Sequence, residues 1–177
     1  MAFSWLKTAP SEARGAARVQ VRPATRGDAR AIAGMASALS RAEGGFPSRF
    51  TEDTYLRDGF GPSPAFRAVV AELDGEIAGY AVYYSGYDTD TATRGVYLAD
   101  LFVRDAARRQ GVGRALVAGV ADACRAHGGR WMFWSVLRHN KAGRRFYKAL
   151  APELKDVIVC AAFGRTFERL ADMTKER

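Results

Sequence analysis

The stretch RRQGVGRAL, Arg108–Leu116, sets three arginines and two glycines between an apolar run, YLADLFV at Tyr97–Val103, and a segment with helical periodicity. In that segment Val112, Ala115, Leu116, Val120, Ala123 and Cys124 recur on one face, and Gly128-Gly129 closes it. The order is strand, basic glycine turn, helix. A helix N-terminus offers unpaired N–H groups and partial positive charge, so a glycine turn leading into one is an anion site. Two nucleotide loops do not match it. The Rossmann pattern GxGxxG meets only Gly111 and Gly113, Leu116 stands at the third glycine position, and the turn lies late in the chain. A P-loop needs GxxxxGK followed by Ser or Thr, and that spacing is absent.

Upstream of the turn, VQVRP alternates as a strand, and Thr25 precedes Asp28 at the spacing of a capping box. A helix with Ile32, Met35, Ala36 and Leu39 on its inner face follows, then a short helix over TEDTYLRDGF. AFRAVVAELDGEIAGYAVYYSGYD reads as a hairpin turning at Asp74-Gly75, and Gly95–Val103 as a central strand. Beyond the glycine-turn helix come a strand over RWMFWSVL, a helix from Asn140 to Leu150, a last strand over VIVCAAF and a terminal GRTFERLADM helix. The expected fold is α/β, a mixed sheet with helices on both sides. Residues 1–18 are expected to form a flexible arm and 19–177 a single domain.

Of the 177 residues, 48% are hydrophobic and 26% charged, as in a soluble globular protein, and no apolar run is long enough to span a bilayer. Neither a membrane nor a secretory signal is indicated. Cys124 and Cys160 lack metal or CxxC spacing and are expected to be free thiols in a reducing cytoplasm; no metal site is expected. The net charge of +8 suits a polyanionic ligand. Without a nucleic-acid-binding motif, a phosphate-bearing cofactor is preferred to nucleic acid.

The glycine turn resembles that of the GNAT family of N-acetyltransferases, whose motif is Arg or Gln, two residues, Gly, any residue, then Gly or Ala. Arg108, Gly111 and Gly113 fill it. The flanking order, from YLADLFV through WMFWSVL to HNKAGRRFYKAL, is also similar, over about Val19 to Phe163. Within the family YYSGYD at Tyr83–Asp88, LADLFV at Leu98–Val103 and HNKAGRRFYK at His139–Lys148 most resemble the branch that acetylates diamines, polyamines (spermidine and spermine) and thialysine. The resemblance implies a splayed pair of strands forming an acetyl-CoA cleft, direct transfer in a ternary complex and a homodimer.

The resemblance also implies site residues. The turn Arg108, Arg109, Gln110, Gly111, Val112, Gly113 and Arg114 would hold the cofactor pyrophosphate. Leu101, Phe102 and Val103 would pair with the pantetheine arm, and the Leu101 N–H would polarise the thioester carbonyl. Asn140 and Tyr147 lie within about 20° on one helix. Tyr147 matches the family's tyrosine that protonates the departing thiolate. The polyamine branch carries Glu and His where this chain has Ala99 and Phe133, so the usual proton path is missing. Alternation along a strand sets Ala99 and Asp100 on opposite faces, so Asp100 does not simply replace the absent Glu. Asp100 and Asp88 are candidate acceptor-binding carboxylates, with Tyr84 and Tyr87 as cation-π walls. The expected reaction acetylates a primary amine of a small acceptor. A protein lysine or N-terminal acetyltransferase is the alternative enzyme, and a non-catalytic acyl-CoA-binding module the alternative of another class.

Overall fold

The computed structural model describes residues 19–45 and 48–174, so the expected N-terminal arm lies outside the described residues. The described residues group into two compact units, divided between Ser135 and Val136.

The first unit holds a five-stranded sheet in the order β1 (Val19–Pro23), β2 (Arg67–Leu73), β3 (Glu76–Asp88), β4 (Thr93–Val103), β5 (Gly129–Trp134). All neighbours are antiparallel except β4 and β5, which run parallel because helix α3 (Val112–Ala126) connects them. Helices α1 (Ala29–Ala42) and α2 (Glu52–Phe60) precede β2. Asp74 and Gly75 turn the β2–β3 hairpin at φ values of 52° and 87°, the positive pair expected of that dipeptide. None of the described helices is long and apolar enough to cross a membrane.

One core lies under α1 and α2. Ile32, Met35, Tyr55, Val70 and Tyr80 are fully or almost fully buried there, and Tyr55 donates its hydroxyl to the Thr25 carbonyl at 2.9 Å. On α3, Val112, Leu116 and Val120 are buried, and so is Cys124. The expected capping box forms, since the Asp28 carboxylate accepts from the Thr25 N–H at 2.6 Å and the Thr25 hydroxyl at 2.9 Å. Arg22 on β1 adds a bidentate pair to the same carboxylate, at 2.8 and 2.9 Å. The start of α1 is thereby fixed to the sheet edge.

In the second unit α4 spans Lys141–Lys148 and α5 spans Arg165–Asp172. Two expectations need correction. VIVCAAF forms no strand; Ile158 is 86% exposed and Phe163 82%, and among the described residues no strand pairs with the segment. β-branched composition favours a strand only where a ladder partner is present. The strand expected over RWMFWSVL also stops early, at Trp134.

Arg22 and Thr25 hold the Asp28 carboxyl at about 2, below its ordinary 3.8. Its contribution to stability is therefore present above about pH 4 and lost as pH falls towards 2. We expect Asp28→Asn to cost about 2 kcal/mol in urea unfolding at pH 7, and to flatten the acid limb of the stability curve. A variant as stable as wild type at pH 7 would contradict this.

Candidate active site

Strand β4 carries the first part of the site. The Arg104 N–H donates to the Ala78 carbonyl at 2.8 Å, which sets the phase of the β3–β4 ladder. In an antiparallel ladder, hydrogen-bonded and non-bonded pairs alternate, so Tyr80 opposite Phe102 and Val82 opposite Asp100 are bonded pairs. Leu101 and Val103 then point their N–H and C=O groups away from β3. On that other side β5 pairs with β4 only as far as Leu98 opposite Trp134. The Leu101 N–H thus faces an open edge. At its end the Val103 carbonyl accepts from Arg108 Nε at 3.3 Å, consistent with that phase.

The turn follows through a single 3-10 turn, Asp105–Ala107. Arg109 and Gly111 take left-handed φ values of 64° and 85°, and α3 begins at Val112. Its first-turn N–H groups, including those of Gly113 and Arg114, have no acceptor within the helix. The turn is braced from within: Arg108 pairs with Asp105 at 2.7 Å, and the Gln110 side chain donates to the Ala106 carbonyl at 2.9 Å. All three arginines are exposed, but Arg108 is tied into the loop by Asp105 and the Val103 carbonyl. An open strand edge leading to a basic helix N-terminus fits an extended amide-bearing arm that ends in a diphosphate.

The acceptor side depends on a bulge. The β3–β4 register shifts between Val82 and Tyr83, leaving Ala99 as the extra residue between Leu98 and Asp100. Strict alternation across Ala99 and Asp100, assumed from the sequence, fails there. Asp100 consequently shares a face with Tyr97, three residues away. On that face it accepts from the Tyr80 hydroxyl at 3.1 Å. Burial pushes the Asp100 carboxyl above its ordinary 3.8, with the Tyr80 hydrogen bond acting in the opposite direction. Burial and the neighbouring carboxylate hold the Tyr80 hydroxyl firmly protonated, and Glu43 at the end of α1 adds to the effect. Tyr80 has a place at the site that the sequence did not signal.

The remaining candidates divide. Asp88 is partly exposed and occupied by its own turn, accepting from the Asp90 N–H at 3.0 Å and the Thr91 hydroxyl at 2.6 Å. Tyr84 stacks on Tyr97 with ring centroids 5.2 Å apart and lies on the Asp100 face. Tyr87 is an odd number of positions from Tyr84 along β3, so it projects from the opposite face. Ala99 is exposed and Phe133 half exposed.

In the second unit the Asn140 side chain caps α4, accepting from the Gly143 N–H at 2.8 Å. Tyr147 is half-buried one face along, its ring 5.0 Å from that of Phe146. Arg144 makes a bidentate pair with Glu153 at 2.8 and 2.7 Å. Ala142 and Ala149 are exposed. Cys124 is a buried free thiol, its ionisation pushed up by burial, and Cys160 is exposed. Among the described residues no cluster of His, Cys, Asp or Glu is able to hold a metal.

A sheet that opens between its parallel strands above a basic helix N-terminus is the architecture of an acyl-CoA-dependent transferase. The acetyltransferase (GNAT) family model matches residues 32–151, and the chain belongs to that family. It is an acetyl-CoA-dependent N-acetyltransferase. It is 32% identical over 144 residues to the thialysine N-epsilon-acetyltransferase of Bos taurus, covering 76% of this chain and 84% of that protein. Its counterpart in Sus scrofa is 34% identical over 143 residues, with the same coverage. The human spermidine/spermine N(1)-acetyltransferase-like protein 1 is 28% identical over 166 residues, 89% of this chain and 24% of that protein. Among solved structures, an integron cassette protein from V. cholerae superposes with a TM-score of 0.72 at 20% identity, over 86% of this chain and 97% of that one. An aminoglycoside N-acetyltransferase in complex with CoA gives 0.68 at 20% identity, over 88% and 99%.

Gly111→Ala tests the turn, because an L residue at a φ of 85° costs about 1 kcal/mol or more. Calorimetry should show weaker CoA binding and a smaller CoA-induced rise in melting temperature than for wild type. An unchanged Kd would remove the turn from the binding site.

Proposed function

We propose that the chain transfers acetyl from acetyl-CoA to a primary amine of a small acceptor, a diamine, polyamine or amino-acid-like compound, by direct attack in a ternary complex. The observation that carries this reading is the meeting, on one stretch of β4, of an outward Leu101 N–H and the Asp100 carboxylate. The first would stabilise negative charge developing on the thioester oxygen, and the second suits an incoming ammonium. The thialysine and polyamine acetyltransferases among the relatives support a small amine as acceptor.

An amine with a pKa near ~10 arrives protonated, so a proton must leave before nitrogen attacks. In this reading Asp100 takes that role or orders a water that does. Its raised proton affinity brings it closer to a working base than an exposed aspartate. The C–N bond then forms, the C–S bond breaks, Tyr147 gives its proton to the thiolate, and the second proton shed by nitrogen passes through solvent to restore the Tyr147 hydroxyl. Backbone N–H groups of the Arg108–Arg114 turn hold the pyrophosphate. Asn140 sets the start of the helix that carries Tyr147, with which its side chain shares a face.

We also propose that the protein works as a homodimer in the cytoplasm. The exposed apolar side chains Val157, Ile158, Val159 and Phe163 support self-association, and the two free thiols suit a reducing compartment. Sedimentation should give twice the 19.3 kDa chain mass, and Ile158→Lys with Phe163→Lys should shift it to the monomer. A wild-type monomer at micromolar concentration would contradict the dimer.

CoA thiol release, assayed against amines and peptides, tests the reaction. Transfer to small amines is expected; peptide-only transfer, or CoA binding without transfer, would overturn it. Tyr147→Phe should lower kcat at least about tenfold with the CoA Kd unchanged. Asp100→Asn should abolish the acid limb of the kcat/KM profile, which in wild type lies above the ordinary aspartate range because ionised Asp100 is required. An identical profile in that variant would exclude Asp100 as the base.

A further inference from the structure

On the sheet face that carries Asp100, three strands contribute an aromatic surface that the transfer reaction does not explain. Gly86, Gly95 and Trp131 are in register across β3, β4 and β5. The Trp131 indole lies over both glycines: a Cβ placed on Gly95 would come within 2.0 Å of its ring, and one on Gly86 within 2.5 Å. Side chains are excluded at both positions so that the indole can lie flat. Its Nε1–H donates to the Thr93 carbonyl at 3.3 Å, which fixes the ring.

The next row across the strands is Tyr84, Tyr97 and Phe133. Tyr84 stacks on Tyr97 at an interplanar angle of 25°, and the Tyr97 hydroxyl shares a hydrogen bond with Ser135 Oγ at 2.8 Å. Phe133 packs beside Trp131 with centroids 5.3 Å apart and keeps 50% of its surface exposed; Tyr84 keeps 44%. The rings are held by one another and by hydrogen bonds, yet Tyr84 and Phe133 stay exposed and Tyr97 and Trp131 partly so. That is a preformed binding surface whose ordering cost is met before a ligand arrives.

The polar groups of this face are few. Asp100 accepts from Tyr80, and Glu43 lies near that hydroxyl. Asp88, at the far end of β3, is committed to its own turn. Across the bulge Tyr97 and Asp100 lie opposite Tyr84 and Val82, two residues apart on β3, a spacing of about 7 Å at the rise of a strand. Along this path the second ammonium of a polyamine would meet ring faces, a weaker cation-π contact than a carboxylate would give it, whereas a flat apolar body is matched by them. Flat apolar groups stack on such rings.

Resting on the transfer reading above, we propose that Tyr84, Tyr97, Trp131 and Phe133 form an acceptor subsite that selects a primary amine joined by a short alkyl spacer to a flat aromatic body. The ammonium meets Asp100 and the aromatic body lies on the shelf. Phe133 acts here as a specificity residue.

The test compares 2-phenylethylamine and 4-phenylbutylamine with putrescine as acceptors for the full chain. The better phenylalkylamine should exceed putrescine by about tenfold or more in kcat/KM, mainly through a lower KM. Phe133→Ser should reduce that preference ratio about tenfold, Phe133→Leu should reduce it partly, and Phe133→Tyr should retain it. Equal use of both classes, a preference for putrescine, or a ratio indifferent to all three substitutions would overturn the subsite. A Phe133→Ser protein that becomes monomeric with its ratio intact would also overturn it, assigning the shelf to contact between copies. If no amine is acetylated the transfer reading fails separately. Saturation-transfer NMR with 2-phenylethylamine and CoA then decides the shelf alone: saturation of the ligand's ring protons in wild type that disappears in Phe133→Ser supports it, and no such saturation in wild type overturns it.

Discussion

The site depends on the parting of β4 from β5 beyond Leu98. Up to that residue β4 is paired on both sides; beyond it, among the described residues, only β3 pairs with the strand. A strand edge that is unpaired exposes amide groups that must find partners, and such edges are normally covered or blunted. Here the edge runs into a helix N-terminus that also lacks internal acceptors for its first N–H groups. The two unsatisfied features are continuous along Leu101 to Arg114, so one elongated ligand with amides and phosphates serves both.

The bulge at Ala99 is the second consequence of the same strand. It adds twist and resets which side chains face which way, so that Tyr97 and Asp100, an odd number of residues apart, share a face. The Asp100 carboxylate thereby reaches the Tyr80 hydroxyl inside the core beneath α1. The proposed acceptor side therefore rests on a backbone irregularity, while the proposed donor side rests on regular geometry.

This difference explains what could be read in advance. Helix periodicity, the Asp74-Gly75 turn, the Thr25–Asp28 box and the glycine turn at Arg108–Arg114 are local signals, and the elements they mark formed within a residue or two. The bulge left no such mark, because it is a mismatch between two strands. Tyr80, Tyr97 and Trp131 read as ordinary strand residues until register set Trp131 over Gly86 and Gly95. VIVCAAF had the composition of a strand, but composition does not supply a ladder partner, and the segment stays unpaired among the described residues. Asp88 reads as an available charge in the sequence, but its carboxylate is engaged by Thr91 within its own turn.

Amide hydrogen exchange, resolved by residue with and without CoA, addresses the central claim most directly. The account predicts slowed exchange at Leu101 and Val103 and at the first-turn amides from Gly111 to Arg114, with Phe102, already bonded to β3, little changed. Protection confined to another face of the sheet, or none along β4 and the turn, would contradict it.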